Sequence, residues 1–195
     1  MKRLADIVFS TIGLLFLSPF LVIVACLILL SSKGGVLYRQ KRVGKDNKDF
    51  TMYKFRTMGL GSDKSTLITV GDRDSRITGV GYYLRKYKLD ELPQLINVVL
   101  GDMSLVGPRP EVRKYVDQYS EEQLKVLSVR PGITDFASIQ YSRESELLGK
   151  AEDPEWEYIH NILPAKLELN LKYIRERGFV TDMKIILKTL VKIVQ

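Results

Sequence analysis

The sequence predicts an α/β, mainly helical chain: a re-entrant membrane segment folded as helix-break-helix (residues 1–33), then a compact domain (34–195) with a small β-hairpin and amphipathic interfacial helices. Three observations predict it. Residues 7–30, "IVFSTIGLLFLSPFLVIVACLILL", hold no charge. Two runs rich in β-branched and aromatic residues, "VLYRQKRV" and "DFTMYKFRTM", flank the polar turn "GKDNKD", which is the pattern of a hairpin. Further on, helix-like segments alternate with Gly and Pro breaks.

At ~1.5 Å per residue the uncharged run measures ~36 Å as a straight helix, enough to cross a ~30 Å hydrocarbon core. Lys2 and Arg3 precede it, and Lys33, Arg39, Lys41 and Arg42 follow it. Basic flanks stay on the cytoplasmic side, so both ends ask for the same face. Ser18 and Pro19 lie near the middle. Pro19 lacks a backbone donor and disfavours helix at the residue before it, while Ser18 can satisfy a freed carbonyl. The segment is therefore expected to dip in, break at Ser18–Pro19 and leave by the face it entered, with a simple span as the alternative. A cleaved signal peptide would have only ~7–15 apolar residues, and a lipoprotein site at "IVAC" would not be followed by the apolar Leu27–Leu30.

After the hairpin, residues 59–75 are small and polar and read as a mobile loop. Short helices fit "TGVGYYLRKY" and "DELPQLINVVL", the second closed by Gly101. "GDMSLVGPRPE" reads as an ordered loop, residues 111–128 as helical, "VRPGITD" as a break, and 154–176 and 181–194 as helices. In the last of these, Lys184, Lys188 and Lys192 form one stripe, and Ile186, Leu187, Leu190, Val191 and Val194 cover much of the rest. That suits a helix in the membrane interface with lysines at phosphate head groups. It equally suits a helix packed on the protein's own core with a solvated lysine face.

The 195 residues make room for one domain with an appended segment, and 45% hydrophobic with 27% charged residues is the balance of a folded protein. A net charge of +7 favours anionic partners. The single cysteine, Cys26, excludes an internal disulfide, and the single histidine, His160, excludes a multi-histidine metal site.

"KLDELPQ" sets two acids, Asp90 and Glu91, before a proline. If a helix starts at Glu91 or Leu92, Asp90 is its N-cap and Pro93 falls in the first turn. A helix start keeps an acid ionised and favours phosphate, so Asp90 also reads as a nucleophile that needs no partner base. Cations surround it in the sequence. Lys54 and Arg56 share one face of a strand, Arg76 lies in "DSRIT", and Arg85 comes a turn or two before Asp90. Arg109 stands between Pro108 and Pro110, and Arg130 precedes Pro131–Gly132. A stiff backbone beside proline suits a fixed fork for phosphate oxygens. With Asp90, Glu91 and a third candidate, Asp102, these residues have the composition of a diphosphate site with Mg²⁺, which takes one or two carboxylates, waters and substrate phosphates.

The strings "QKRVG", "FTMYKFRTM", "DSRITGVGYYLR", "LDELPQLINVVLGDMSLVGPRP" and "RPGIT", in this order after an apolar segment containing Ser-Pro, resemble the bacterial sugar transferase family of polyprenyl-phosphate phosphoglycosyl transferases. The length is similar to that of its small monotopic members. The resemblance runs to about Thr134. It implies a re-entrant anchor in the bacterial inner membrane, with the catalytic domain on the cytoplasmic face among membrane phospholipids. It implies that Asp90 attacks the sugar-linked phosphate of a UDP-sugar, releasing UMP, and that polyprenyl (undecaprenyl) phosphate then takes the phosphosugar. Mg²⁺, held by Asp90 and Glu91, would assist. Arg85 and Arg109 would bind phosphate or nucleotide, while Glu91 would serve the metal or positioning.

Beyond "RPGIT" the chain departs from the family pattern. Many members continue with Gly-Trp-Ala-Gln and a phosphate-binding arginine, whereas this chain reads "DFASIQYSRESE", with Arg143 as the nearest candidate. Two alternatives stand beside this expectation. One is a non-catalytic membrane-anchored basic protein that binds anionic lipid or nucleic acid; interleaved aromatics and a nucleic-acid motif are missing, so nucleic acid is not an expected partner. The other is one-step transfer, with Asp90 only a metal ligand.

Overall fold

A computed structural model describes residues 2–62, 68–71 and 74–194. Helix α1 (Lys2–Ser31) is helical from end to end with Pro19 inside it, so the expected break at Ser18–Pro19 does not interrupt the helix. The reason is local. Pro19 cannot donate to the carbonyl of Leu15, four residues back, and the Ser18 hydroxyl donates to that carbonyl instead, at 2.8 Å. By length and composition α1 could cross a membrane, and Leu15 and Phe16 at its middle are exposed.

Both ends of α1 are fastened to the same body. At its start, Lys2 donates to the Val106 carbonyl at 3.1 Å and to Asp182 at 2.5 Å. Arg3 donates to the Val98 and Val99 carbonyls at 2.6 and 3.1 Å, and buried Asp6 accepts from the Ser104 hydroxyl at 2.8 Å. At its end, Val24 and Ile28 pack with Phe55 and Leu84. The Arg56 guanidinium donates to the carbonyls of Ser32, Lys33 and Gly35 at 3.0, 2.6 and 2.6 Å, holding the backbone that leaves the helix.

The predicted hairpin is present. Strands β1 (Leu37–Val43) and β2 (Asp49–Phe55) pair antiparallel, with Leu37 opposite Phe55 and Val43 opposite Asp49. Within the loop expected over 59–75, residues 63–67 and 72–73 lie outside the described residues; a bridge between Met58 and Ile77 closes its base. Helix α2 (Gly79–Lys86) follows, its N-cap Thr78 accepting from the Gly81 amide at 3.0 Å. Helix α3 (Gln94–Leu100) ends at Gly101, whose φ of 104° is the left-handed conformation glycine adopts freely. Asn97, fully buried, accepts from the Tyr53 amide and donates to the Thr51 carbonyl, locking α3 to β2.

The loop expected at "GDMSLVGPRPE" contains strand β3 (Ser104–Val106), which pairs in parallel with β4 (Gly132–Thr134). The two backbones touch just past the pairing: a Cβ on Gly132 would sit 2.1 Å from the Gly107 nitrogen. The expected helix over 111–128 is divided into α4 (Arg113–Val116), α5 (Glu121–Leu124) and a 3₁₀ turn, Lys125–Ser128. Helices α6 (Phe136–Gln140) and α7 (Glu144–Leu148) precede α8 (Pro154–Glu157), which runs through a π turn (Tyr158–Ile162) into α9 (Leu163–Glu176). Val112, Tyr115, Leu148, Tyr158 and Leu167 join these pieces in the main core.

Helix α10 (Phe179–Val194) covers the final stretch. Ile185 is fully buried beside Val106 and Tyr173, so one face packs on the core. A second apolar face, with Val180, Leu187, Leu190 and Val191, is exposed, as are Lys184, Lys188 and Lys192. The side chain of Val194 lies outside the described residues.

Candidate active site

A cleft of about 1290 Å³ opens between the hairpin, the α2–α3 connection and the C-terminal helices. Lys54, Arg85, Asp90, Glu91, Arg109 and Arg143 line it, as do parts of Arg56 and Arg76; Arg130 does not.

The two acids sit on a 3₁₀ turn, Leu89–Glu91, entered through Lys88 with φ 55° and ψ 20°. This left-handed conformation costs a side-chain-bearing residue ~1–2 kcal/mol, and it occurs here immediately before Asp90. Asp90 is not the N-cap of α3. That position falls to Pro93, and no side chain caps the helix, because the 3₁₀ turn and the proline carry the chain past the residue that would have capped. Asp90 and Glu91 are both buried, at 7% and 9% exposure, yet their surroundings differ. Glu91 accepts from Arg109 at 2.5 Å and from Lys54 at 2.9 Å. Among the described residues, the Asp90 carboxylate receives no hydrogen bond and no ion pair.

The electrostatics separate the pair. Burial alone would raise the Glu91 pKa, but Arg109 and Lys54 outweigh it and hold Glu91 well below the usual carboxylate range. Burial and then the charge of Glu91 push Asp90 up, against the opposing pull of Lys54 and Arg85. Adjacent carboxylates driven in opposite directions are a pattern of functional acid pairs. Burial also lowers the Lys54 pKa, with Glu91 opposing.

Arg109 is set by its backbone. Its amide donates to Asp135 Oδ2 at 3.1 Å, while Asp135 Oδ1 caps α6 by accepting from the Ser138 amide at 2.6 Å. The flanking glycines pair across the parallel strands, Gly107 N to Thr134 O at 3.0 Å and Gly132 N to Pro108 O at 2.9 Å. Asp135, fully buried, was missed by the sequence reading; its place directly after "RPGIT" was the available signal.

The other candidates divide. Arg85 donates to the Thr69 hydroxyl at 2.9 Å and acts on Asp90. Arg143, 71% exposed at its side chain, lies 3.7 Å from Glu146. Arg56 is occupied with the end of α1, as described above. Arg76 is bound to Asp74 at 2.5 Å and to the Ser62 and Ile68 carbonyls, and Arg130 donates to the Gly101 carbonyl at 2.8 Å. Asp102 accepts from Asn97 at 3.2 Å, in the turn after α3, and is not brought to the cleft. His160 stacks on Trp156.

No cluster of three or more His, Cys, Asp or Glu side chains suited to a metal occurs among the described residues. With Glu91 turned to its two cations, Asp90 is the free carboxylate at this point. One carboxylate completed by water and substrate phosphates lies within the ordinary habit of Mg²⁺.

A second charged group lines the same cleft. Glu111 accepts from the Tyr158 hydroxyl at 2.5 Å and from Arg42 at 3.3 Å, with Lys166 at 3.9 Å. Lys166 in turn donates to Glu144 at 2.7 Å. Burial would raise the Glu111 pKa, but Lys166 and Arg42 outweigh it and hold it down. The sequence reading singled out none of these four charged residues for a role in the cleft.

A family model described as bacterial sugar transferase matches residues 1–195. The chain is 40% identical to the UDP-N-acetylgalactosamine-undecaprenyl-phosphate N-acetylgalactosaminephosphotransferase of Aeromonas hydrophila, over 97% of this chain and 42% of that relative. It is 39% identical to the UDP-glucose:undecaprenyl-phosphate glucose-1-phosphate transferase of Escherichia coli (strain K12), over 98% of this chain and 40% of that one. It is 37% identical to the exopolysaccharide production protein PSS of Rhizobium leguminosarum bv. phaseoli, over 98% and 94% of the two chains. The chain thus spans about two fifths of the first two relatives and nearly all of the third. Together with the motifs that build the cleft, the match along its whole length makes this chain a member of the bacterial sugar transferase family.

Proposed function

We propose that the chain is a phosphoglycosyl transferase that moves a phosphosugar from a UDP-sugar to polyprenyl (undecaprenyl) phosphate. The observation that carries this reading is Asp90: a buried carboxylate without a hydrogen-bond or ion-pair partner among the described residues, beside an acid neutralised by two cations, in a cleft large enough for a nucleotide sugar. In the first step an Asp90 oxygen attacks the phosphorus that bears the sugar. The bond to the bridging oxygen breaks, and UMP leaves with the electron pair. In the second step an oxygen of polyprenyl phosphate attacks the same phosphorus, the bond to Asp90 breaks, and the carboxylate is restored. No proton is gained or lost overall.

Lys54, Arg85 and Arg109 meet the charge of the transferring group, with Arg143 as a further candidate at the cleft's edge. Glu91 fixes Lys54 and Arg109 rather than reacting. Mg²⁺, held by Asp90 and the substrate's phosphates, supplies charge neutralisation when bound. The hydrogen bonds of Arg56, Arg76 and Arg130 to backbone carbonyls give those three a scaffolding role.

Phe9 of α1, Leu92, Leu95 and Leu190 of α10 also line the cleft, giving the acceptor's isoprenoid chain apolar surface. The fastening of both ends of α1 to one body supports both ends of the segment lying on the same face. With the basic flanks, this supports a monotopic protein of the bacterial inner membrane with its catalytic domain in the cytoplasm. The exposed apolar face and lysines of α10 then meet phospholipid. The names of the first two relatives carry different sugars, so similarity alone does not select the donor.

The test is UMP release from a panel of UDP-sugars in detergent or vesicles with Mg²⁺. Release that depends on polyprenyl phosphate over many turnovers is expected. No release with any donor, with or without the lipid, would overturn the reading.

A further inference from the structure

The cleft has a wall that the reaction above leaves without a task. Ser138, Tyr141, Ser142 and Glu144, from the segment where the sequence departs from the family pattern, all line it. The Ser138 hydroxyl is buried and has no hydrogen-bond partner among the described residues, although its own amide is held at 2.6 Å by Asp135. One oxygen of Glu144 takes Lys166 at 2.7 Å, and the Glu144 side chain remains 29% exposed. Lys166, only 7% exposed at its side chain, is set between Glu144 and Glu111 and lies over the Tyr158 ring at 5.1 Å. The Gly71 amide donates to the Ser145 carbonyl at 2.9 Å, pinning the same segment from the other side. Glu144 and Arg109 line the same cleft.

Apart from Arg143, whose side chain is 71% exposed at the cleft's edge, its chemistry is wrong for phosphate and right for a neutral polyol. Hydroxyls offer both donors and acceptors, and a carboxylate accepts from a sugar hydroxyl but repels a phosphate oxygen. The nearest buried cation is already matched between two acids. A site built to hydrogen-bond a hydroxyl also discriminates strongly against a ligand that lacks it or presents it on the other side, because its polar groups are then left unpaired.

We propose that Ser138, Tyr141, Ser142 and Glu144 read the hydroxyl pattern of the donor's sugar, and that Lys166 is the positioning residue that holds Glu144 in place to do so. The inference rests on the transferase reading above and adds the part of the cleft that selects the substrate.

The test uses the full chain and its Glu144→Gln, Ser138→Ala and Lys166→Met variants. kcat/KM is measured for UDP-glucose, UDP-galactose and their two N-acetylamino counterparts, with UMP as an inhibitor that carries no sugar. The expected result is a preference among donors that narrows by about 10-fold in Glu144→Gln and Lys166→Met, with a smaller change of the same kind in Ser138→Ala and unchanged inhibition by UMP. An equal fall for every donor, or weaker UMP inhibition in step with it, would overturn the proposal while leaving the transferase reading intact. No turnover by the wild-type chain with any donor would remove the transferase reading and this proposal with it. Should Lys166→Met fail to fold, the two milder variants decide between the same outcomes.

Discussion

The cleft holds two buried charged groups, and they are built on opposite principles. In the Arg42–Glu111–Lys166–Glu144 group every charge faces one of opposite sign, and Glu111 takes a tyrosine hydroxyl as well. Around Asp90 and Glu91, cations gather on one acid and the other is left bare. Burying an ion without a partner is expensive, so a fold keeps such a group only where something outside the protein completes it. The matched group ties β1, the Pro110–Glu111 corner, α7 and α9 together. The unmatched acid is the place left for substrate.

The largest expected effect breaks the unmatched group. Asp90→Asn is nearly isosteric and removes the nucleophile, so multiple-turnover UMP release should fall by about 10⁴-fold or more. Its melting temperature should hold or rise, since a buried, unpaired charge has been removed. Glu91→Gln should do the reverse. It leaves the half-buried Arg109 and Lys54 without their counter-ion, costing about 2–4 kcal/mol in denaturant unfolding along with most of the turnover. Glu111→Gln should cost less, about 1–3 kcal/mol, because Arg42 keeps Gln40 and the Pro110 carbonyl and Lys166 keeps Glu144. Turnover should then follow the folded fraction.

A pH series sharpens the contrast by a smaller margin. The Asp90 pKa is raised above 3.8, so the first step should fade as pH drops through that raised value, before ordinary aspartates protonate. The Glu91 pKa lies well below 4.5. Its contribution to stability is therefore present above 4.5 and is lost only as pH falls through the lower folded value. Acidification should abolish adduct formation while circular dichroism still reports a folded chain. Unfolding that precedes or accompanies the loss would contradict the assignment of the two acids.

How much of this could be read from the sequence depends on the range of the interaction. The hairpin, the stop at Gly101 and helices α9 and α10 follow from local propensity and periodicity, and they were legible. So was the repair of Pro19 by Ser18, though a helix that survives the proline was not. Strands β3 and β4 were hidden because three residues each are too few for a pattern, and their pairing joins residues far apart in the chain. Asp90 and Glu91 were found by composition, but the capping role assigned to Asp90 failed once Pro93 took that position. Lys54, Arg85 and Arg109 line one cleft with the two acids, whereas Arg56 and Arg130 spend their donors on backbone carbonyls just after α1 and α3. Glu111 and Lys166 were missed because only tertiary contacts give them partners, and Asp135 because its bond to the Arg109 amide joins distant residues, although its cap of α6 is local.

The most direct measurement is the intact mass of the purified protein after incubation with Mg²⁺ and each UDP-sugar, without lipid acceptor. A gain of one phosphosugar is expected with the correct donor, absent in Asp90→Asn and discharged by polyprenyl phosphate. An unmodified mass with every donor, under conditions where added lipid still drives UMP release, would contradict Asp90 as nucleophile and point to direct transfer.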